Sequence, residues 1–181
     1  MGTQRLVATA MLAAVAFVLM AAVQIPLLPY APYLTYDPSD AVGVLAGVLY
    51  GPGAGVTVVV LKDVLFFFLR ARGPIGPAAD FVAAATFVAV TAWAYRRVRG
   101  PFARRLVYAA AAGTVARVLI MIPANFVLLG LQFGMTPARV AGMLLPVIVP
   151  FNAVKAAANA LIALLVAEPL VRAAGARTPA K

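Results

Sequence analysis

The chain has 181 residues, 65% of them hydrophobic and only 11% charged, with a formal net charge of +10. Soluble domains are about 45–50% apolar and about 25% charged, so a water-soluble fold would leave much of this apolar surface in contact with water, whereas a bilayer would not. The absence of cysteine and histidine excludes disulfides, thiolate or imidazole metal sites and Ser–His catalysis.

One crossing takes about 20 apolar residues, so the length accommodates roughly six spans as a single integral membrane domain over residues 1–181. Span 1 runs from about Arg5 to Ile25; one arginine before a long apolar run, with no small-residue cleavage signal, reads as a retained span rather than a leader. The following stretch, Gln24 to Asp40, carries Pro26, Pro29, Pro32 and Pro38 together with Tyr30, Tyr33 and Tyr36, and cannot be a regular helix. Span 2, about Ser39 to Tyr50, is short, with Asp37 or Ser39 available to cap it. A Gly51-Pro52-Gly53 turn leads to span 3, about Ala54 to Leu69. Arg70 to Gly76 forms a short loop before span 4, about Pro77 to Tyr95. Span 5 runs from about Leu106 to Leu129, a polar break follows at Gln132 to Thr136, and Pro137 to Pro146 reads as a short interfacial helix. Span 6 is about Val147 to Val166.

Between spans 4 and 5 lie Arg96, Arg97, Arg99, Arg104 and Arg105. A basic protein invites a nucleic-acid reading, but this cluster sits between two apolar segments and marks a cytoplasmic loop. Six spans place both termini on that side, where Arg5, Arg172, Arg177 and Lys181 raise the total to nine cations; the opposite side has Arg70, Arg72 and Arg139. The tyrosine-rich loop is therefore expected to be extracellular in a multi-pass protein of a prokaryotic cell membrane.

The remaining ionisable groups fall within or beside spans: Lys62, Asp63, Asp80, Arg117 and Lys155. Each costs about 2.5–3.5 kcal/mol at mid-bilayer on insertion scales, so it should face a cavity or a partner. Asn152, Lys155 and Asn159, spaced i, i+3, i+7, share one face of span 6, just after Pro150. With Asn125 from the outer part of span 5, Asn152 and Lys155 can converge below the tyrosine loop. Amides donate and accept while lysine only donates, a set suited to a neutral, planar edge of carbonyls and an imide N–H. Lys155 has no carboxylate near it in sequence, which favours a ligand role; Asn159 reads as an interhelical strut. Lys62 and Asp63, being adjacent, should point to different faces, and Arg117 is expected to pair with Asp80 or Asp63. Gly43, Gly47 and Gly51 give two G-x-x-x-G steps that read as internal packing, and on composition alone so does the small pair Ala10 and Ala14.

Four stretches resemble a known family: YLTYDPSDAVGVLAGVLYGPGAGV (Tyr33 to Val56), RGPIGPAADF (Arg72 to Phe81), PANFVL (Pro123 to Leu128) and PFNAVKA (Pro150 to Ala156). They resemble the substrate-binding (S) components of energy-coupling factor vitamin transporters, and within that family its riboflavin-specific members. The Y-D-x-S-D segment before span 2 and P-F-N-x-x-K in span 6 are the specific elements. The resemblance implies an all-α six-transmembrane-helix bundle whose loop between helices 1 and 2 forms an extracellular lid. It implies that Asn125, Asn152 and Lys155 contact the isoalloxazine ring, with Tyr33, Tyr36 and Asp37 in the lid over riboflavin. It also turns Ala10 and Ala14 outward, toward a transmembrane coupling subunit driven by two cytoplasmic ATPases. Riboflavin would be cargo, not cofactor. With no Gly-rich phosphate loop in the chain, any ATP is used by partners.

Three other readings carry less. Thiamine is cationic and calls for a carboxylate and an aromatic cage, against which Lys155 argues; another vitamin of the same family remains the alternative. Asp37 and Asp40 lie close together without a base or a metal ligand, so no enzyme is expected. A self-sufficient secondary transporter would show inverted repeats, and none is visible.

Overall fold

The computed structural model describes residues 2–173. Its regular structure is helical apart from one short hairpin. Helix α1 (Thr3–Ala22) is followed by strands β1 (Ile25–Pro26) and β2 (Thr35–Tyr36), then α2 (Ser39–Tyr50), α3 (Pro52–Leu69), α4 (Ile75–Arg97), α5 (Phe102–Phe133), α6 (Pro137–Met143) and α7 (Val149–Ala173). The apolar α1, α3, α4, α5 and the run Pro137–Ala167 are long enough to cross a bilayer. Helix α2 has 12 residues, about 18 Å at 1.5 Å per residue, against a hydrocarbon core of about 30 Å. It tolerates that shortness because it is central: Ser39 to Gly47 are all buried, and it packs on α1, α3, α4 and α7.

The molecule is apolar outside and charged within. Leu6, Met11, Val115, Leu119, Leu161 and Leu165 are exposed, while the largest fully buried side chains among the described residues are Arg117 and Lys62. Helices that are apolar on their outer faces suit lipid rather than water.

Close approach of α2, α3 and α4 rests on glycine. A Cβ on Gly47 would come within 2.7 Å of Ala92 Cβ, and one on Gly55 within 2.7 Å of the Gly43 carbonyl and 2.6 Å of Val88. Internal packing is thus the role of Gly43 and Gly47. Gly51 departs from that expectation: it is the turn itself, at φ 107°, where α2 ends and Pro52 opens α3.

The expected interfacial helix at Pro137–Pro146 is replaced by a continuous path. Helix α6 passes through a π-helical turn, Leu144–Ile148, directly into α7. Pro146 and Pro150 carry no N–H, so the regular ladder cannot continue across them, and a wider turn carries the chain instead.

Candidate functional site

The segment between α1 and α2 is built by its prolines and tyrosines. Residues Ile25 and Pro26 pair antiparallel with Tyr36 and Thr35, and Leu27 N–H donates to Leu34 O. The hairpin leans across the α5–α7 end of the bundle. The Tyr33 ring packs 5.0 Å from that of Phe133, and Tyr30 Oη donates to Pro146 O at 3.4 Å. Tyr33 also joins Phe126, Leu129 and Ile148 in one apolar cluster. Burial pushes the Tyr33 phenol up, against the pull of Arg139. Burial also raises Tyr36, with Asp37 adding to it. Both remain neutral hydroxyls near pH 7, and Tyr33 Oη is buried without a partner among the described residues.

Beneath the hairpin lies one connected polar network. Lys155 Nζ donates to Asp37 Oδ2 at 2.7 Å, to Asp80 Oδ1 at 2.9 Å and to Thr35 O at 3.4 Å. Asp80 Oδ2 accepts from Lys62 Nζ at 2.5 Å. Lys62 lies 3.2 Å from Asp40 Oδ1 and 3.4 Å from Asp63 Oδ1. Asp40 Oδ2 accepts from Arg117 Nη1 at 2.7 Å, and Arg117 Nε donates to Asn152 Oδ1 at 3.0 Å. Positive and negative groups alternate, and the path leaves α7 at Lys155 and returns to it at Asn152. A buried charge is tolerable only when paired in this way. Asp63 is held least tightly: Lys62 is its ion-pair partner at 3.4 Å, but neither of its oxygens makes a hydrogen bond among the described residues.

Several expectations change here. Lys155 is not without a carboxylate; Asp37 and Asp80 reach it from 118 and 75 residues away, a closeness that sequence distance hides. Arg117 pairs with Asp40, not with Asp80 or Asp63; those two acids lie against Lys62 instead. Lys62 and Asp63 do not separate onto different faces; both are buried, and the long lysine stem lets its ammonium reach back to the neighbouring carboxylate. Asp40 is no loop residue but a fully buried member of the first turn of α2. Its centrality was missed; the signal available was its place in the Y-D-x-S-D segment. Asp37 Oδ1 accepts from Ser39 N–H at 3.1 Å and from Ser39 Oγ, closing the start of α2.

The three asparagines share one device. Each turns its Nδ2 back onto the carbonyl four residues earlier in its own helix: Asn125 to Met121, Asn152 to Ile148 and Asn159 to Lys155. That fixes which way each amide faces. Asn159 Oδ1 then accepts Ala41 N–H at 2.9 Å, which makes it the expected strut. Asn152 Oδ1 is held by Arg117. Asn125 Oδ1 accepts no hydrogen bond among the described residues. Asn125 lies one turn before Leu129 and Asn152 one turn after Ile148, and those two apolar residues pack together with Tyr33. The fold thus gathers an aromatic cover, an amide oxygen without a partner and a fully engaged ammonium at one end of the bundle.

Ala10 and Ala14 are exposed, off the face of α1 that buries Thr9, Ala13, Ala16 and Met20. Among the described residues nothing buries them, which goes against the compositional reading of internal packing. Of the loop arginines, Arg105 is buried rather than solvated, with Nε and Nη2 donating to Tyr95 O. Arg177 and Lys181, counted toward the cytoplasmic side, lie outside the described residues.

The family model described as "ECF transporter, substrate-specific component" matches residues 4–167. The chain belongs to the substrate-specific (S) components of energy-coupling factor transporters. This S component is 34% identical over 170 residues to the riboflavin transporter RibU of Staphylococcus aureus, covering 90% of this chain and 87% of that protein. It is 33% identical to the riboflavin transporter FmnP of Bacillus subtilis, over 71% of this chain and 68% of that one. A solved S component of a bacterial ECF transporter superposes with a TM-score of 0.75 at 31% identity, covering 95% of this chain and 98% of that one. The family is one of transport components, not enzymes, and its members are integral to membranes, in keeping with the apolar exterior of this S component.

Proposed function

We propose that this S component binds riboflavin at the hairpin-covered end of the bundle and delivers it inward with an energy-coupling module. What supports the reading is that α5 and α7, which carry Asn125 and the P-F-N-x-x-K turn, pack on each other, that both amides are fixed by their own helices, and that Leu129 and Ile148, one turn from them, cluster with Tyr33. Asn125, Asn152 and Lys155 then serve the polar edge of the flavin, and Tyr33, Tyr36 and Asp37 close over it. The two riboflavin transporters at 33–34% identity support the choice of cargo. For Lys155 to serve the ligand, one of its three present acceptors must give way, and Thr35 O at 3.4 Å is the weakest of them. Opening of the hairpin and release of Lys155 are therefore linked in this reading.

The membrane arrangement follows the same line: six crossings, with α2 as the short central one, the hairpin extracellular, and both termini in the cytoplasm of a prokaryotic cell. Exposed Ala10 and Ala14 meet the transmembrane coupling subunit, which two cytoplasmic ATPases drive. The alternative cargo is a related flavin or another vitamin. Mass spectrometry of the small molecules released from protein purified from flavin-replete cells tests the proposal. Riboflavin at near-stoichiometric yield, with a blue-absorbing holoprotein, is expected; a colourless protein that releases a different vitamin would overturn it.

A further inference from the structure

The arginine cluster between α4 and α5 is sorted by the fold into different tasks. Arg105 turns inward, donating to Tyr95 O and stacking 4.2 Å from the Tyr95 ring. Arg96 lies over the α2–α3 turn, its Nη2 within 2.9 Å of where a Cβ on Gly51 would stand. Arg97 and Arg104 do neither. The Arg97 guanidinium rests 4.1 Å above the Trp93 ring, and that of Arg104 lies 5.7 Å from the centroid of Tyr108. All four of these side chains are exposed, with Trp93 51% and Tyr108 57% accessible. No carboxylate occurs anywhere from Trp93 to Tyr108; the chain's one acid beyond the buried network is Glu168, on α7.

An exposed indole or phenol at a helix end belongs at headgroup level in a bilayer. A guanidinium stacked on it is held at that same depth and keeps its N–H fork free for a phosphate. Two such pairs, one on each helix of the α4–α5 hairpin, flank a loop that also carries Arg99. We infer that this end of the hairpin is a binding site for the headgroup of an anionic phospholipid, engaged by Arg97 and Arg104. Each basic side chain near an anionic leaflet contributes about 1 kcal/mol, so each arginine engaged enriches anionic over zwitterionic lipid roughly fivefold around it. The site is independent of the flavin pocket and rests only on the chain spanning a membrane.

Trp93 is the chain's single tryptophan, so its fluorescence reports this site alone. The full-length, flavin-free protein would be reconstituted into phosphatidylcholine vesicles containing, at equal mole fraction, either phosphatidylglycerol or phosphatidylcholine brominated on its acyl chains. The readout is the ratio of quenching by the two brominated lipids, which cancels any direct effect of Arg97 on the indole. Quenching several-fold stronger by brominated phosphatidylglycerol is expected, and the R97Q/R104Q variant should bring the ratio close to one while still binding riboflavin. Equal quenching in the unaltered protein would overturn the proposal, as would a preference that survives in the double variant. So would a preference abolished by inorganic phosphate but not by chloride at matched ionic strength, which would identify free phosphate as the ligand.

Discussion

Replacing Lys155 by methionine separates what this residue does for the ligand from what it does for the fold. An unpaired lysine could be exchanged for an apolar side chain of similar length at little cost to folding. The structure predicts otherwise, because Lys155 bridges Asp37 Oδ2 at 2.7 Å and Asp80 Oδ1 at 2.9 Å. Removing one partner of a buried pair costs about 3–5 kcal/mol. Here the lower end applies: Asp80 keeps Lys62 at 2.5 Å, and Asp37 keeps its bonds from Ser39. On the ligand side, a lost hydrogen bond with one charged partner costs about 1.5–3 kcal/mol, or roughly ten- to a hundredfold in affinity. The added substitution Asp37→Asn removes the carboxylate left without its ammonium while retaining an oxygen for Ser39. K155M/D37N should therefore recover about 0.5–3 kcal/mol of stability relative to K155M, the usual range for coupled neighbours, yet bind riboflavin no better. Fluorescence quenching of riboflavin and thermal unfolding in the same detergent provide both readouts. Unchanged affinity in K155M, with stability lost, would make Lys155 a strut and remove it from the binding site; failure of D37N to recover any stability would refute the ion pair.

Pro32→Cys and Arg99→Cys, at exposed positions of an otherwise cysteine-free chain, should react with an impermeant thiol reagent from opposite sides of intact cells; labelling of both from outside would reject the proposed topology. Trp in place of Ala10 or Ala14 should abolish uptake and leave riboflavin binding and melting temperature unchanged, since both positions face outward on α1; loss of binding as well would point to a role inside the chain. Gly55→Ala forces a methyl against Val88 and the Gly43 carbonyl and should cost about 1–3 kcal/mol. Gly53→Ala in the same helix meets nothing within 4 Å and should be neutral or stabilise by about 0.4–1 kcal/mol, so equal melting shifts for the two would contradict the packing of α2 on α3.

The class of this protein and the course of its chain are legible in the order of its residues. Apolar runs of span length, punctuated by proline and arginine, leave no other environment for so hydrophobic a chain, and helices form over those runs, although α2 is too short to count among the span-length ones and α7 continues to Ala173, past the expected end at Val166. The glycine repeat was legible because close helix contact has few chemical solutions. The P-F-N-x-x-K turn and Asn125 stood out because polar groups are rare in these surroundings. The partners of those groups, however, were decided by tertiary structure alone. Lys155 meets Asp37 and Asp80, and Arg117 meets Asp40 across 77 residues; nothing local in the sequence selects one carboxylate over another. The choice depends on which helices are neighbours and how deep each charge sits, and low-dielectric burial then forces Lys62, Arg117 and Lys155 onto whichever acid the packing brings within reach. For the same reason Ala10 and Ala14 could not be assigned from spacing. A small-residue pair reads alike on either face of a helix, and only the docking of α1 through Ala13, Ala16 and Met20 turned this one outward.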